Sequence, residues 1–264
     1  MNWLERSLGN GSFVVTTELN PAVWYRPDDV IRLVQMVHPW VDAVIVPNLA
    51  DVAIDQLLAR VSASSVELVF GIDCRHHDQL TVRAELLAAW TRGVSSILLT
   101  TDDGAARQMS NGWDDPRQSL ASWLMGRTRQ EFSTAESSWG NEHSWCVGLL
   151  ESPITPSAGT RSRPLTGKLR AGAQFVLTQR VDGIGELERL MGDVDMRVGA
   201  SRCALIATVD PEVSGLDESV EMLGQIERTP GIAGVNLVVS PDGFAMMPLL
   251  LQRAGQSRSD LASA

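Results

Sequence analysis

The sequence predicts a single (β/α)8 TIM barrel spanning residues 1–264. Three observations carry that expectation. Short apolar, β-branched runs alternate with stretches of helical period along the chain, the order expected of a parallel sheet with helices between its strands. Eight strand-like runs are present, the number that closes such a barrel. The chain has 264 residues, 44% of them hydrophobic, enough for one large core. No repeat, Pro-rich linker or low-complexity block divides it. A doubly wound open sheet is the alternative arrangement of the same units.

The elements justify themselves in order. Residues 13–19, FVVTTEL, read as a first strand, and 28–37 as a helix with Pro27 before it. The run 41–47, VDAVIVP, is a second strand. In 51–61 the apolar residues Ile54, Leu57, Leu58 and Val61 fall on one helical face. A third strand at 66–72, a helix at 79–90 and a fourth strand at 94–100 follow. Residues 101–143 are polar and turn-rich, with one helical stretch at 118–126, and read as a mobile insertion or lid. A fifth strand is expected at 145–150. A short helix ends near Ala171, and Gly172 sits where a helix C-terminus wants a residue tolerant of positive φ. The sixth strand, from Gln174 to Thr178, leaves the sheet at Gln179. Helix 184–191, strand 203–209, helix 219–227, strand 232–240 and helix 243–253 complete the alternation, before a frayed tail to Ala264.

Composition bounds the function. The formal net charge of −10 argues against a nucleic-acid footprint and fits a solvated acidic surface. Cys74, Cys146 and Cys203 are far apart and form no CxxC pair, so a disulfide or zinc framework is not expected and a reducing compartment fits. No apolar run has the ~20 residues of a membrane span. The start, MNWLERSLGNGS, lacks the apolar region of a signal peptide. The expectation is a soluble cytoplasmic protein without nucleic-acid or membrane partners; a homo- or hetero-oligomer stays open. The eight Trp residues are scattered and read as core or interface, with Trp24 or Trp113 able to stack on a ring at the barrel mouth.

A barrel places chemistry at the C-terminal ends of its strands. The first such end carries TTELNP, with Glu18; its bland alternative is a loop cap or an ion pair. The third carries GIDCRHHDQL, which crowds Asp73, Arg75, His76 and His77 together. Adjacent histidines point apart and no H-x-x-x-H follows, so no metal site is expected. Asp78 suits a helix cap. The fourth end carries TTDDG, Thr100–Gly104, which a plain turn would also explain. No G-x-S-x-G, P-loop or complete dinucleotide fingerprint is present.

The segment 171–179, AGAQFVLTQ, resembles the AGA-x-F-x-x-TQ segment of the methylenetetrahydrofolate reductase family. Weaker likenesses run along most of the chain in the same order: Glu18 before its Pro-containing turn, the third-strand turn, TDDG, and GIAGVNLVV at 231–239. The resemblance implies a reductase of 5,10-methylenetetrahydrofolate that uses reducing equivalents from NAD(P)H. It implies Glu18 as general acid, and Asp103 and Gln179 as pterin ligands, an amide offering donor and acceptor together. It implies cofactor contacts at Asp73, Arg75, Thr101 and Lys168.

The chain departs from the family on the flavin side. Thr101 and Asp102 stand where the family has Arg-Gly, and the loop after Leu150 lacks the family's aromatic and histidine. FAD is therefore expected to be weakly bound or absent. An accessory folate-binding barrel without turnover is the alternative function.

Overall fold

The computed structural model describes residues 3–19, 26–47, 54–61, 66–73, 79–100, 145–151, 165, 169, 173–193, 197–198 and 201–255. The expected insertion at 101–143 and the Gly172 turn lie outside them.

Eight parallel strands close into a barrel. They are β1 (Val14–Leu19), β2 (Ala43–Val46), β3 (Glu67–Asp73), β4 (Ser96–Thr100), β5 (Cys146–Glu151) and β6 (Phe175–Arg180), then, after a two-stranded ribbon of β7 (Arg197–Val198) and β8 (Ser201–Arg202), β9 (Ala204–Val209) and β10 (Ile232–Val239). Closure is made by β1, which bonds β2 on one side and β10 on the other. The single (β/α)8 barrel expected from the sequence is the observed fold, and each expected strand is found within about two residues of its expected ends.

The strands are mostly apolar because both faces are covered. Alternate residues serve different partners. Val14, Ala43, Ile45, Val69, Leu98, Cys146, Phe175, Leu177 and Ile206 pack inside the barrel. The other set, such as Val15, Val44, Phe70, Leu99, Val176 and Leu205, meets the outer shell. Glycine appears where the interior is crowded. A methyl group at Gly148 would land on the Phe175 ring, the barrel's large central filler, and one at Gly234 would strike the backbone of Val14. Cys146 lies in the inner layer and Cys203 in the outer one, both buried free thiols. Burial pushes the Cys203 thiol up to about 12 and the Cys146 thiol well above its ordinary value.

Helices α2 (Pro27–Val37), α3 (Ile54–Val61) and α4 (Gln79–Thr91) follow the first three strands. Proline at the first position of α2 removes an amide that would have no partner in the first turn. The later helices are α5 (Ile184–Asp193), α6 (Pro211–Ser214), α7 (Leu216–Arg228) and α8 (Met246–Arg253). Asp210 caps α6 by accepting the Glu212 amide at 3.0 Å, and Glu212 accepts the Ser240 amide at 2.7 Å, which ties the turns after β9 and β10 together.

The sequence pattern missed helix α1 (Trp3–Gly9), whose seven residues are too few to show a period. It is the stopper of the barrel floor. Leu4, 1% exposed, joins the interior cluster. Its amide donates to Glu67 Oε2 at 2.9 Å, the Trp3 indole donates to Asp42 Oδ1 at 3.3 Å, and Gln174 donates to Glu5 Oε1 at 2.9 Å. Glu67 also accepts the hydroxyls of Ser95 and Ser96, and Asp42 accepts the Val15 amide at 2.8 Å. With the floor sealed in this way, the C-terminal strand ends are left as the working face.

Candidate active site

Two polar side chains stand two residues apart on β1, Thr16 and Glu18. On the pleated strand that spacing puts both on one face, the one that carries Val14 into the interior. Parallel pairing sets Thr16 level with Asn236 of β10, and Glu18 level with Val238 of β10 and Ile45 of β2. Thr208 of β9 is level with Asn236 on its other side. Four polar residues on three adjacent strands thus meet inside an otherwise apolar barrel.

They are joined by hydrogen bonds. The Asn236 amide donates to Glu18 Oε2 at 3.0 Å and to Thr208 Oγ1 at 3.3 Å. Thr16 donates its hydroxyl to Asn236 Oδ1 at 2.9 Å. Thr208 donates its own hydroxyl to the Thr178 carbonyl, while its amide donates to Thr178 Oγ1 at 3.0 Å. Thr16, Thr178, Thr208 and Asn236 are essentially out of solvent, and Glu18 keeps 7% of its surface. Buried polar groups need partners, and this set supplies its own.

Burial sets the charge state of Glu18. Loss of hydration disfavours the carboxylate, and the Asn236 bond offsets only part of that loss. The net effect lifts Glu18 from an ordinary 4.5 to about 7. A group with that proton affinity holds its proton at neutral pH and can also release it.

The other sequence-predicted residues divide. Gln179 is exposed near the C-terminal end of β6, one residue before the strand stops at Arg180. The pairing of β6 with β9 shifts register between Leu177 and Arg180, so the alternation of Phe175 and Leu177 does not carry on to Gln179. Asp73 is the last residue of β3, paired with Thr100 of β4, so its backbone stands at the mouth. The side chain of Asp73, together with Arg75, Thr101, Asp103 and Lys168, lies outside the described residues. So do His76 and His77; among the described residues no three His, Cys, Asp or Glu gather as they would around a metal ion. No described helix is long and apolar enough to cross a membrane.

Asn236, Thr208, Thr178 and Thr16 were not singled out from the sequence. A signal existed. Asn236 interrupts the apolar run GVNLVV and Thr208 interrupts LIATV, and a polar residue inside a strand buried on both faces needs a partner.

Comparison with known proteins yields likeness of fold. No family model matches the chain and no curated protein does. Among solved structures it is similar to 2,3-dimethylmalate lyase, a member of the PEP mutase/isocitrate lyase superfamily, with a TM-score of 0.55, 14% identity, and coverage of 99% of this chain and 90% of that one. It is also similar to QR15, an aldolase, with a TM-score of 0.53, 13% identity, and coverage of 91% and 95%. Identities this low carry the scaffold and nothing about the reaction.

Proposed function

We propose that this barrel is an oxidoreductase of the methylenetetrahydrofolate reductase type, which reduces a folate-borne methylene group to methyl with reducing equivalents from NAD(P)H. The observation that carries the proposal is Glu18: a carboxylic acid buried at the C-terminal end of β1, with a proton affinity near 7. The resemblance of AGAQFVLTQ supplies the substrate class, with Gln179 as the pterin ligand it implies.

The chemistry asks for such an acid. The methylene carbon bridges two nitrogens in a five-membered ring. A proton delivered to one nitrogen breaks its bond to that carbon and leaves an iminium on the other. Hydride from the reduced nicotinamide then adds to the carbon, giving the N-methyl product and the oxidised nicotinamide. Glu18 supplies the proton in the first step and regains one from solvent. In an interior closed at its floor by α1, water does not compete for the iminium from below.

The residues that the resemblance would set against a cofactor, Arg75, Thr101 and Lys168, lie outside the described residues. Among the described strand ends the one cationic side chain is Arg180, and it is engaged with Asp182 at 2.9 Å. By residue type, Asp73, Glu151 and Asp210 make these ends acidic. No step is routed through flavin. The two solved barrels of similar fold are named as a lyase and an aldolase; a shared scaffold hosts many chemistries, so the site and not the scaffold carries this reading.

The test is turnover of methylenetetrahydrofolate with NADH or NADPH by wild type and Glu18→Gln. Removal of a positioned general acid costs ~10²–10⁴-fold. A variant as active as wild type removes Glu18 from the mechanism. Folate binding without turnover under either reductant would replace the enzyme with an accessory binding barrel.

A further inference from the structure

A carboxylic acid has two oxygens, and delivery of a proton depends on which one holds it. We propose that Asn236 is a positioning residue that makes this choice. Clamped between Thr16 and Thr208, its amide keeps Glu18 Oε2 as a hydrogen-bond acceptor and leaves Oε1 as the oxygen that carries and delivers the proton. The inference rests on the reading of Glu18 as the acid.

The orientation of an Asn amide is settled by its neighbours. Thr208 has one hydroxyl proton, and that proton is committed to the Thr178 carbonyl. Toward Asn236, Thr208 therefore offers only lone pairs, and the atom facing it at 3.3 Å must be the NH2. The same NH2 lies 3.0 Å from Glu18 Oε2. At the other end Oδ1 faces the Thr16 hydroxyl at 2.9 Å. The Thr208 bond fixes the orientation, and the other two fit it; the Thr16 hydroxyl, also 3.5 Å from the Val235 carbonyl oxygen, lies nearer Asn236 Oδ1. With an N–H pointing at it, Oε2 is the carbonyl-like oxygen of the protonated acid, and the proton resides on Oε1. An amide turned by 180° would present Oδ1 to the carboxyl. The acid would then donate to Asn236, and its proton would be held in the wall of the barrel.

Thr178 gives the arrangement a second anchor. It is the Thr of the TQ pair, and it ties β6 to β9 through both of its bonds to Thr208. The residue that precedes Gln179 thus belongs to the network that orients Glu18. No charged group competes in this assignment among the described residues: the register neighbours of Glu18 are Val238 and Ile45, and the polar partners from β9 and β10 are neutral.

The experiment uses the full chain and two near-isosteric variants, Thr16→Val and Thr208→Val, with Thr16→Ser as the conservative control. Glu18 is titrated by difference infrared spectroscopy of the protonated carboxyl, and Glu18→Gln identifies its band. Loss of either clamp lets the amide turn. The Glu18 midpoint should then rise by about one unit or more, since an N–H bond that favours the carboxylate gives way to an acceptor that favours the acid. Thr16→Ser should restore the wild-type midpoint. In turnover, kcat should fall about tenfold or more with KM little changed. A midpoint that stays at the wild-type value in both folded valine variants overturns the inference, whatever the activity. If the midpoint moves while wild type shows no reductase turnover, the positioning role stands and the reductase reading falls.

Discussion

Glu18→Gln should stabilise the folded protein at neutral and alkaline pH while it removes activity. The two states of the chain bind protons differently. Unfolded Glu18 titrates at its ordinary 4.5, and folded Glu18 at about 7. Below 4.5 both states hold the proton and the residue costs nothing through ionisation. Between 4.5 and 7 the folded state holds more protons than the unfolded one, so stability falls as pH rises. Above 7 the whole difference is lost: at 1.36 kcal/mol per unit the rise from 4.5 amounts to about 3 kcal/mol. Gln keeps a carbonyl oxygen to accept from Asn236 and has no charge to bury.

The assay is thermal unfolding of wild type and variant across pH 4 to 8.5. For a chain of this size ~1 kcal/mol moves Tm by roughly 2–4 °C, so the variant should melt about 6–12 °C higher at pH 8 and nearly with wild type at pH 4.5. Other carboxylates cancel in the difference. A difference that does not change with pH would refute the claim that burial holds the Glu18 proton. A variant less stable than wild type at pH 8 would refute it more strongly, since the Asn236 bond would then outweigh desolvation.

Other consequences follow from the same geometry. Phe175→Ala empties the middle of the barrel and should cost about 3–5 kcal/mol in urea unfolding. Gly148→Ala should cost about 1–3 kcal/mol by pressing on the same ring, and pairing it with Phe175→Leu should recover part of that loss, a coupling readable in a double-mutant cycle. Leu4→Ala should cost about 2–5 kcal/mol, with the strongest loss of hydrogen-exchange protection at the N-terminal strand ends. The purified protein should be colourless; a stoichiometric visible flavin band would show that FAD finds partners beyond the described residues.

Strand existence was legible because barrel strands are apolar on both faces, and such runs stand out in any short window. Their ends shifted by a residue or two where polar residues such as Gln179 and Arg180 still keep the ladder. The floor was not legible. It depends on Glu67, Asp42, Ser96 and Gln174 being brought under α1 from strands far apart in sequence. The carboxyl near the C-terminal end of β1 was legible as Glu18 in TTELNP. What orients it was not, because Thr16 and Asn236 are 220 residues apart and only closure of β1 on β10 makes them neighbours.

Two inward glutamates stand at opposite ends of the barrel, Glu67 half-buried at the floor and Glu18 buried at the mouth. Glu67 at the floor receives three donors, the Leu4 amide and the hydroxyls of Ser95 and Ser96. Among the described residues, Glu18 at the mouth receives one, from Asn236. The three bonds to Glu67 tie α1 to the start of β4. A carboxyl left with a single donor in a dry interior keeps a proton. The same chemical change at the two sites should therefore act with opposite sign. Glu67→Gln places an NH2 where three donors converge and should destabilise by about 1–3 kcal/mol, with kcat of the folded fraction unaltered. Glu18→Gln should stabilise at pH 8 and abolish turnover. Measured side by side by thermal unfolding and steady-state assay, equal signs in stability, or a large loss of kcat in Glu67→Gln, would show that the division between a structural floor and a catalytic mouth is wrong.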